Sequence, residues 1–262
     1  METGNILLTS DARGVATLTL NRPERRNAFD DAVIQDLTAA FRRVGADADI
    51  RVLLVTGAGT AFSAGGDLNW MRRMAGYGEA ENVADAMRLA TMLRTLNELP
   101  KPVVARVNGA AFAGGVGLIC CCDIAVASLD AAFSISEVRL GLVPSTIGPY
   151  VVAAIGARAA RRYCLTGETF AAAEALRIGL VHETVPAPEL DAAIDRIVAA
   201  VLAGGSRAEA RAKLLIAETA GKPVTDEIMM LTARTIAAAR ASDEGREGVI
   251  AFLERRKPAW RG

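Results

Sequence analysis

Two short glycine-rich stretches of the chain are candidates for ligand binding. AGGDL covers residues 64–68 and AFAGGVG covers residues 111–117, and each follows an apolar run typical of a buried strand. Glycine lets a backbone approach a ligand closely, and the first turn of a following helix offers N–H groups without intrahelical partners. Two such loops could direct two N–H groups at one oxygen, forming an oxyanion hole for a carbonyl that becomes an enolate. Tight strand-to-helix turns without a ligand are the alternative.

Neither glycine stretch carries a phosphate-binding signature. The pattern GxxxxGK[ST] is absent because the required Lys and Ser or Thr are missing. The run GGVG also has the wrong spacing for the dinucleotide pattern GxGxxG. A nucleotide phosphate site is therefore not predicted.

The cysteines and the single histidine offer little for metal or nucleophilic chemistry. Cys120, Cys121 and Cys122 are adjacent, so on a helix they point about 100° apart and do not converge on one ion. No CxxC spacing includes Cys164, and His182 has no second histidine to complete a metal site or a triad. We therefore predict buried packing roles for the cysteines and no metal site.

The charge balance argues against several classes of partner. Lys plus Arg and Asp plus Glu both number 30, and the calculated pI is about 6.6. No basic excess favours nucleic acid or an anionic membrane as partner. The N-terminal residues lack the pattern of a signal peptide, and no apolar run approaches the roughly 20 residues that span a bilayer. The expectation is a cytoplasmic protein without a membrane partner.

The elements that must position the glycine loops repeat a strand–loop–helix unit. A helix capped by Asp30 or Asp31 is predicted to about residue 45, and a longer one to about residue 98. Strand patterns lie within residues 5–21, 49–59, 99–109, 123–128 and 131–135. The sequence from 206 to 255 predicts two or three amphipathic helices. The prediction is an α/β core over residues 1–197 and a helical region over residues 198–262.

The chain resembles the enoyl-CoA hydratase/isomerase (crotonase) superfamily in seven segments that cover nearly its whole length. They are RPERRNAF, RVLLVTGAGTAFSAGGDL, LPKPVVARVNGAAFAGGVGL, CCDIAVA, FSISEVRLGLVP, LTGETFAAAEALRIGLVHETV and AFLERRKPAW. The resemblance implies an α/β fold built as a spiral of ββα units, with a C-terminal helical region that mediates trimerisation. It also implies an acyl-CoA substrate and a homotrimer or a dimer of trimers. No separate cofactor is expected, because coenzyme A would be part of the substrate.

The resemblance assigns roles to particular residues. The backbone N–H groups of Gly66 and Gly114 would form the oxyanion hole. Residues expected to contact CoA or the acyl chain are Arg26, Ala28, Ala64, Gly65, Asp67, Leu68, Gly117, Pro144, Phe252 and Lys257. Arg26 could equally be a solvated surface arginine, and Phe252 and Lys257 could act on a neighbouring subunit.

One carboxylate stands where many hydratases of this family have two. Glu137 in FSISEVRLG matches one of the family's glutamates, whereas Gly117 occupies the position of the other. The resemblance implies that Glu137 is the general acid/base. The apolar neighbours Ile135, Val138 and Leu140 fit a pKa raised toward the working pH. A surface glutamate at a strand–helix junction is the alternative.

Two longer segments narrow the resemblance further. ARVNGAAFAGGVGLICCCDIAVA and SEVRLGLVPSTIGPYVVAAIGARAARRYCLT look most like methylglutaconyl-CoA hydratases of leucine breakdown and related hydratases of acyclic terpenoid breakdown. Substrates of that branch carry a second, free carboxylate. Our hypothesis is that the space at Gly117 admits this carboxylate. Arg72, Arg73 or Arg139 could pair with it, or each could be a plain surface charge.

The resulting prediction is reversible addition of water across an α,β-unsaturated acyl-CoA, through an oxyanion hole and one glutamate. Double-bond isomerisation and decarboxylation of a carboxyacyl-CoA use the same enolate and are the nearest alternatives. A CoA-binding relative without catalysis is a third. The side chains of Trp70, Met71, Met74 and Tyr150 could line an acyl pocket or pack in the core.

Overall fold

The computed structural model describes residues 3–261 and contains two β-sheets. The six-stranded sheet has the order β1-β2-β3-β5-β7-β10, and the four-stranded sheet has the order β4-β6-β8-β9. The strands are β1 Ile6–Ser10, β2 Val15–Leu20, β3 Val52–Gly57, β4 Ala61–Ser63, β5 Val103–Val107, β6 Ala110–Phe112, β7 Ile124–Ser128, β8 Ala132–Ser134, β9 Phe170–Ala171 and β10 Glu183–Val185.

The six-stranded sheet is parallel except at its first pair. The predicted pair of strands around the DARG turn forms an antiparallel hairpin in which Ile6 faces Leu20. The pairs β2–β3, β3–β5, β5–β7 and β7–β10 are all parallel. Five of the six residues of β3 are buried, as expected for a strand covered on both faces.

Ten α-helices cover the sheets or follow them within the described part of the chain. Helix α1 begins where predicted, because the Asp30 carboxylate accepts a hydrogen bond from the Val33 amide at 2.9 Å. The helices are α1 Asp31–Ala46, α2 Leu68–Met74, α3 Glu79–Asn97, α4 Gly114–Cys120, α5 Gly148–Thr166, α6 Ala172–Arg177, α7 Leu190–Leu202, α8 Ser206–Thr219, α9 Asp226–Ala241 and α10 Asp243–Leu253.

The hydrophobic core has a large and a small part. The large part includes Leu37 and Phe41 of α1 and Leu53 of β3, all with no exposed surface. The small part joins the other face of the six-stranded sheet to α7, through residues such as Val104 and Val198. Helix α7 packs on this sheet along its length, so the division predicted between residues 197 and 198 falls inside a helix.

Three helices form the C-terminal region, in agreement with the helical prediction for residues 206–255. Helices α8, α9 and α10 contact one another, and among their described residues only Ala251 is buried. Side chains tie this region to the core: Lys213 donates to the Asp123 carboxylate at 2.8 Å, and Trp260 donates to the Ala203 carbonyl at 3.2 Å. Because these helices bury so few of their residues, much of their apolar surface faces outward.

The four-stranded sheet is small but sets the geometry of the glycine loops. Its strands have two or three residues each, and β4, β6 and β8 run parallel as neighbours. Strand β9 closes the sheet antiparallel to β8. The predicted α/β fold is confirmed. Among residues 3–261, no helix is both long and apolar enough to cross a membrane.

Candidate active site

Three candidate catalytic groups follow three neighbouring parallel strands. Gly66 comes three residues after β4, Gly114 two residues after β6 and Glu137 three residues after β8. The carboxyl ends of neighbouring parallel strands lie at the same edge of a sheet, which is where open α/β folds bind ligands. The topology thus gathers residues that are 71 positions apart in the chain, from 66 to 137.

A backbone bridge to Phe29 orients Gly66. The Phe29 amide donates to the Gly65 carbonyl at 2.6 Å, and the Asp67 amide donates to the Phe29 carbonyl at 2.7 Å. In this parallel pairing the intervening residue, Gly66, directs its own N–H away from Phe29. That N–H donates to no other group among residues 3–261.

Gly114 supplies the second free donor at the start of α4. Its N–H precedes the first intrahelical acceptor and, within residues 3–261, donates to no other group. The preceding residue, Ala113, has φ 46° and ψ −115°, a strained conformation for a residue with a side chain. The Ala113 amide donates to the Ser134 carbonyl at 2.8 Å, which ties this strained turn to β8.

The two glycine loops touch. A Cβ atom on Gly65 would lie 2.8 Å from the Phe112 carbonyl oxygen and 3.4 Å from the Gly114 nitrogen. Gly65 also has φ +83°, which favours glycine, so this close approach depends on glycine for two reasons. The free N–H groups of Gly66 and Gly114 therefore lie on loops in direct contact, as an oxyanion hole requires.

Glu137 begins a short 3-10 turn, Glu137–Leu140, and is half-buried. Its Oε2 atom is buried and has no hydrogen-bond partner among residues 3–261. Burial raises the pKa of this carboxyl above its ordinary value, and a backbone hydrogen bond only partly opposes the shift. A carboxyl group with a raised pKa and a free oxygen can exchange a proton with a substrate.

The space beside Gly117 is filled, which contradicts the hypothesis that a substrate carboxylate enters there. A Cβ atom on Gly117 would overlap Cγ2 of Ile147 and lie 2.9 Å from its Cβ. Ile147 is 1% exposed and lies directly before the first residue of α5. The volume that a side chain at position 117 would take is therefore occupied by Ile147, which lies 30 positions further along the chain.

The residues predicted to contact CoA fall into two groups. The first group lies on two loops joined by backbone hydrogen bonds, such as that from the Ala64 amide to the Arg26 carbonyl at 2.8 Å. It comprises Arg26, Ala28, Ala64, Gly65, Asp67 and the first residue of α2, Leu68. Arg26 is exposed and Leu68 is 72% exposed, so both are accessible to a ligand. Pro144 is half-buried in the segment between Glu137 and α5.

Phe252 and Lys257 lie apart from these loops. Phe252 is at the end of α10 and is 81% exposed, and Lys257 is exposed in the tail that follows. The main helix contacts of α10 are with α8 and α9. Their predicted contact with CoA stays a prediction.

The Asp67 side chain has a structural role that the sequence did not indicate. It caps α2 by accepting hydrogen bonds from the amides of Asn69 and Trp70, and it pairs with Arg22 and Arg25. Burial by itself raises the pKa of this carboxyl, but these bonds and the arginine charges outweigh it and the pKa is lowered. Its amide donates to the Phe29 carbonyl and its carbonyl accepts the Met71 amide, so both the carboxylate and the backbone of Asp67 are engaged in holding this loop.

Asn27 and Ser63 also hold the Gly66 loop, and sequence reasoning missed both. Asn27 is 1% exposed and its amide group donates to the carbonyls of Ala58 and Ala61. The Ser63 hydroxyl donates to the Asn27 carbonyl at 2.9 Å and accepts from the Gly65 amide at 3.2 Å. The motif RPERRNAF was the only signal, since the contacts of Asn27 with Ala58, Ala61 and Ser63 join residues 31 to 36 positions apart.

Of the three arginines proposed to meet a substrate carboxylate, one is already paired. Arg73 forms an ion pair with Asp31. Arg72 has only a 3.4 Å hydrogen bond to the Asn69 side chain, and no ion pair of Arg139 occurs within residues 3–261. Arg139 lies two residues after Glu137 and is exposed.

The four apolar candidates for the acyl pocket divide between core and site. Trp70 is a core residue, 5% exposed, and its indole N–H donates to the Asp85 carboxylate at 3.4 Å. The Met71 Cε atom would lie 2.8 Å from a Cβ on Gly66, so Met71 borders the candidate oxyanion hole. Met74 and Tyr150 pack at the edge of the core.

The cysteines pack as predicted. All four are free thiols, and burial raises the pKa of each, for Cys120 to about 12. The exposed His182 uses its Nδ1 to accept the Ala125 amide at 3.0 Å, which is a structural role. No group of three or more His, Cys, Asp or Glu side chains within residues 3–261 is arranged to hold a metal ion.

The chain is similar to known proteins both in sequence and in structure. The family model for enoyl-CoA hydratase/isomerase matches residues 10–262. The chain is similar to the crystal structure of an enoyl-CoA hydratase from Shewanella pealeana, with a TM-score of 0.95, 40% identity and coverage of 98% of this chain and 96% of the other. It is 31% identical over 255 residues to a crotonyl-CoA hydratase of Syntrophomonas wolfei, covering 97% and 96%. It is also 30% identical over 269 residues to a trans-2-decenoyl-[acyl-carrier-protein] isomerase of Streptococcus mutans, covering 100% of both.

Proposed function

Since the chain belongs to the enoyl-CoA hydratase/isomerase family, we propose that it adds water reversibly across the double bond of an α,β-unsaturated acyl-CoA thioester. The observation that carries the proposal is that the free N–H groups of Gly66 and Gly114 and the unpaired Oε2 of Glu137 follow three neighbouring parallel strands at one edge of the small sheet. No separate cofactor is needed, because coenzyme A is part of the substrate.

The two N–H groups stabilise the charge that develops on the thioester oxygen. Addition of water at the β-carbon moves electrons through the double bond onto that oxygen and forms an enolate. Hydrogen bonds from Gly66 and Gly114 strengthen as the charge grows. Loss of one such donor typically costs roughly 3–4 kcal/mol of transition-state stabilisation.

Glu137 moves the proton. Its carboxylate takes a proton from the attacking water as the oxygen bonds to the β-carbon, and the resulting carboxylic acid returns a proton to the α-carbon as the enolate collapses. The reverse sequence eliminates water. The raised pKa makes the protonated form of this carboxyl easier to reach than that of a solvent-exposed glutamate.

The substrate we propose is a branched or carboxylated enoyl-CoA, such as 3-methylglutaconyl-CoA. The support is the likeness of residues 105–127 and 136–166 to hydratases of such substrates. Arg139 is the candidate partner for a second carboxylate, being exposed and close in sequence to Glu137. Leu68 and Arg26 would border the CoA portion, with Phe252 and Lys257 contributed by a neighbouring copy.

A panel of acyl-CoA substrates tests the activity and its specificity together. Purified protein is given crotonyl-CoA and 3-methylglutaconyl-CoA, and products are identified by mass. A gain of one water with faster turnover of the carboxylated ester supports the proposal. Equal or faster turnover of crotonyl-CoA would remove the proposed specificity, and equal activity of wild type and Glu137→Gln would remove the mechanism.

Isomerisation of the double bond is the second candidate. Gly117 supplies no second carboxyl and Ile147 fills the space beside it, whereas a single carboxyl suffices to move one proton between two carbons. The similarity to the Streptococcus mutans isomerase points the same way. An unchanged product mass with a shifted double bond would favour this reaction. Loss of carbon dioxide would indicate a decarboxylase, and CoA binding without turnover a non-catalytic relative.

We propose a homotrimer, or a dimer of trimers, as the assembled form. The support is the exposed apolar surface of the C-terminal region, with Ile216 66%, Phe252 81% and Leu253 73% exposed. Exposed apolar surface of this extent is typical of contacts between proteins. Light scattering after size-exclusion chromatography measures the mass, and a monomer would contradict the proposal.

A further inference from the structure

Arg22 is a charged side chain that lies almost completely inside the protein near the candidate oxyanion hole. It is 8% exposed. Its guanidinium lies 2.9 Å from the Asp30 carboxylate and 3.2 Å from the Asp67 carboxylate, and it donates to the Ala28 carbonyl at 3.1 Å. The planar fork of an arginine can hold several acceptors in one fixed geometry. The buried guanidinium of Arg22 therefore holds three acceptors of this region in one fixed arrangement.

The two carboxylates flank the bridge that orients Gly66. Asp30 directly follows Phe29, and Asp67 directly follows Gly66, the two residues paired in that bridge. Each carboxylate also caps a helix, Asp30 for α1 and Asp67 for α2. Arg22 thereby joins both sides of the bridge to the starts of two helices.

The Phe29 side chain extends this arrangement to the second donor. A Cβ atom on Gly114 would lie 3.0 Å from Cε2 and 3.2 Å from Cδ2 of the Phe29 ring. Phe29 is 1% exposed, so its ring has little freedom to adjust. A shift of Phe29 relative to Gly66 would change the spacing between the two N–H donors.

We propose that Arg22 is a positioning residue of the oxyanion hole: it holds the Gly66 N–H at its place relative to the Gly114 N–H without touching the substrate. The inference rests on the proposed function. Oxyanion donors act at about 2.7–3.1 Å from the charged oxygen, so a small displacement of one donor weakens its effect. Lysine at this position would carry the same charge but lacks the planar fork that bridges both carboxylates.

The experiment compares Arg22→Lys and Arg22→Met with a matched control, Arg51→Met. Arg51 is also a largely buried arginine, 18% exposed at its side chain, but its guanidinium donates to the Gly204 carbonyl at 2.8 Å, two residues after the end of α7. For each variant, kcat and KM are measured on the best substrate of the panel, together with the melting temperature. The absorption spectrum of bound 4-(dimethylamino)cinnamoyl-CoA is also recorded, because N–H donors that polarise its carbonyl shift the absorption to longer wavelength.

We expect both Arg22 variants to lower kcat by about 10-fold to 100-fold, less than the roughly 10²–10³-fold loss of a removed donor. KM should change little, because CoA binding does not depend on the position of one N–H. The wavelength shift of the bound ester should shrink in both variants. Arg51→Met should lower the melting temperature and leave kcat and the spectrum unchanged.

The outcomes separate the inference from the proposed function. If the Arg22 variants keep the full wavelength shift and the wild-type kcat, Arg22 has no positioning role, whatever their melting temperature. If Arg22→Met does not fold, the charged Arg22→Lys variant decides by the same two readouts. A wild-type protein that binds the ester without any shift overturns the oxyanion hole itself, and the role of Arg22 with it.

Discussion

The six-stranded and four-stranded sheets differ in strand length and in what holds them together. Strands β2 and β3 of the large sheet have six residues each, whereas the strands of the small sheet have two or three. The large sheet is held by apolar side chains such as Leu53, which has no exposed surface. The loops after the small sheet are held by polar side chains, among them Asn27 and Ser63.

The difference follows from what each sheet has to position. Burial of apolar surface is strong but nearly non-directional, so it stabilises the large sheet without specifying where one N–H group points. Hydrogen bonds and ion pairs are directional, and those around Gly66 determine which backbone groups are engaged and which stay free. Stability and site geometry are thus expected to respond to different substitutions, and four predictions test that separation.

The largest effect is expected for Glu137→Gln. Removing the proton carrier should lower kcat by about 10²–10⁴-fold. The same change should raise the melting temperature at neutral pH. The folded-state pKa lies above the ordinary value of 4.5, so wild-type stability falls as pH rises from that value through the raised pKa, a loss that the glutamine variant avoids.

Calorimetry of both proteins at about pH 4 and about pH 7.5 checks this sign. The difference in melting temperature should be small at the lower pH and favour the variant at the higher one. An acid limb of wild-type kcat/KM above pH 4.5 is expected from the same shift. A variant less stable than wild type at neutral pH would show that the carboxyl is not held in an unfavourable environment.

In the large sheet, we expect a core substitution to lower stability without changing activity. Leu53→Ala should cost about 2–5 kcal/mol of the free energy of unfolding, because it leaves a cavity in a closely packed core. The kcat of the folded fraction should not change. Leu165→Ala, at a side chain that is 74% exposed, is the matched control and should cost about 0.5 kcal/mol or less. For both variants, urea unfolding measures the free energy of unfolding, and the activity per folded molecule gives kcat.

A substitution at Gly117 tests the close packing beside the candidate site. Gly117→Ala should cost about 1–3 kcal/mol of stability, because the new Cβ meets Ile147. Combining it with Ile147→Ala should recover part of that cost, giving a coupling of about 0.5 kcal/mol or more. Gly148→Ala is the control, since nothing lies within 4 Å of its Cβ position. Equal effects at the two glycines would contradict the contact with Ile147.

The smallest effect is expected at Ala113. Its positive φ carries strain, so Ala113→Gly should stabilise the protein by about 1 kcal/mol or leave it unchanged. Ala110→Gly, in regular strand β6 nearby, should instead destabilise it by about 1 kcal/mol. Destabilisation of similar size at both positions would mean that Ala113 is not strained.

Features that depend on neighbours in sequence were predictable. A helix cap at Asp30 or Asp31, the hairpin around the DARG turn and two or three C-terminal helices follow from local patterns, and the structure has the cap at Asp30, the hairpin and three helices. The glycine loops were recognised because glycine and helix starts have local signatures. The role of Glu137 came from the resemblance, since an isolated glutamate at a strand end has no pattern of its own.

Contacts between distant residues were not predictable in the same way. Ile147 fills the space of Gly117 from 30 residues away, and Arg22 reaches Asp67 across 45 residues. A glycine in sequence indicates a missing side chain but not which neighbour takes the volume. That is why the substrate carboxylate was placed at Gly117 and why Arg22 was passed over.

By itself, the sequence determined the α/β class, the strands within residues 5–21, 49–59, 99–109 and 123–135, a helix cap at Asp30 or Asp31 and the small residues that let two loops approach each other. Hydrophobic periodicity, capping and backbone freedom act over a few residues, so a linear chain records them directly. The tertiary structure alone decided that Gly66 and Gly114 keep free N–H groups on touching loops, and that Ile147 closes the space beside Gly117. Those outcomes depend on sheet register and on close packing, which exist only once distant segments have come together.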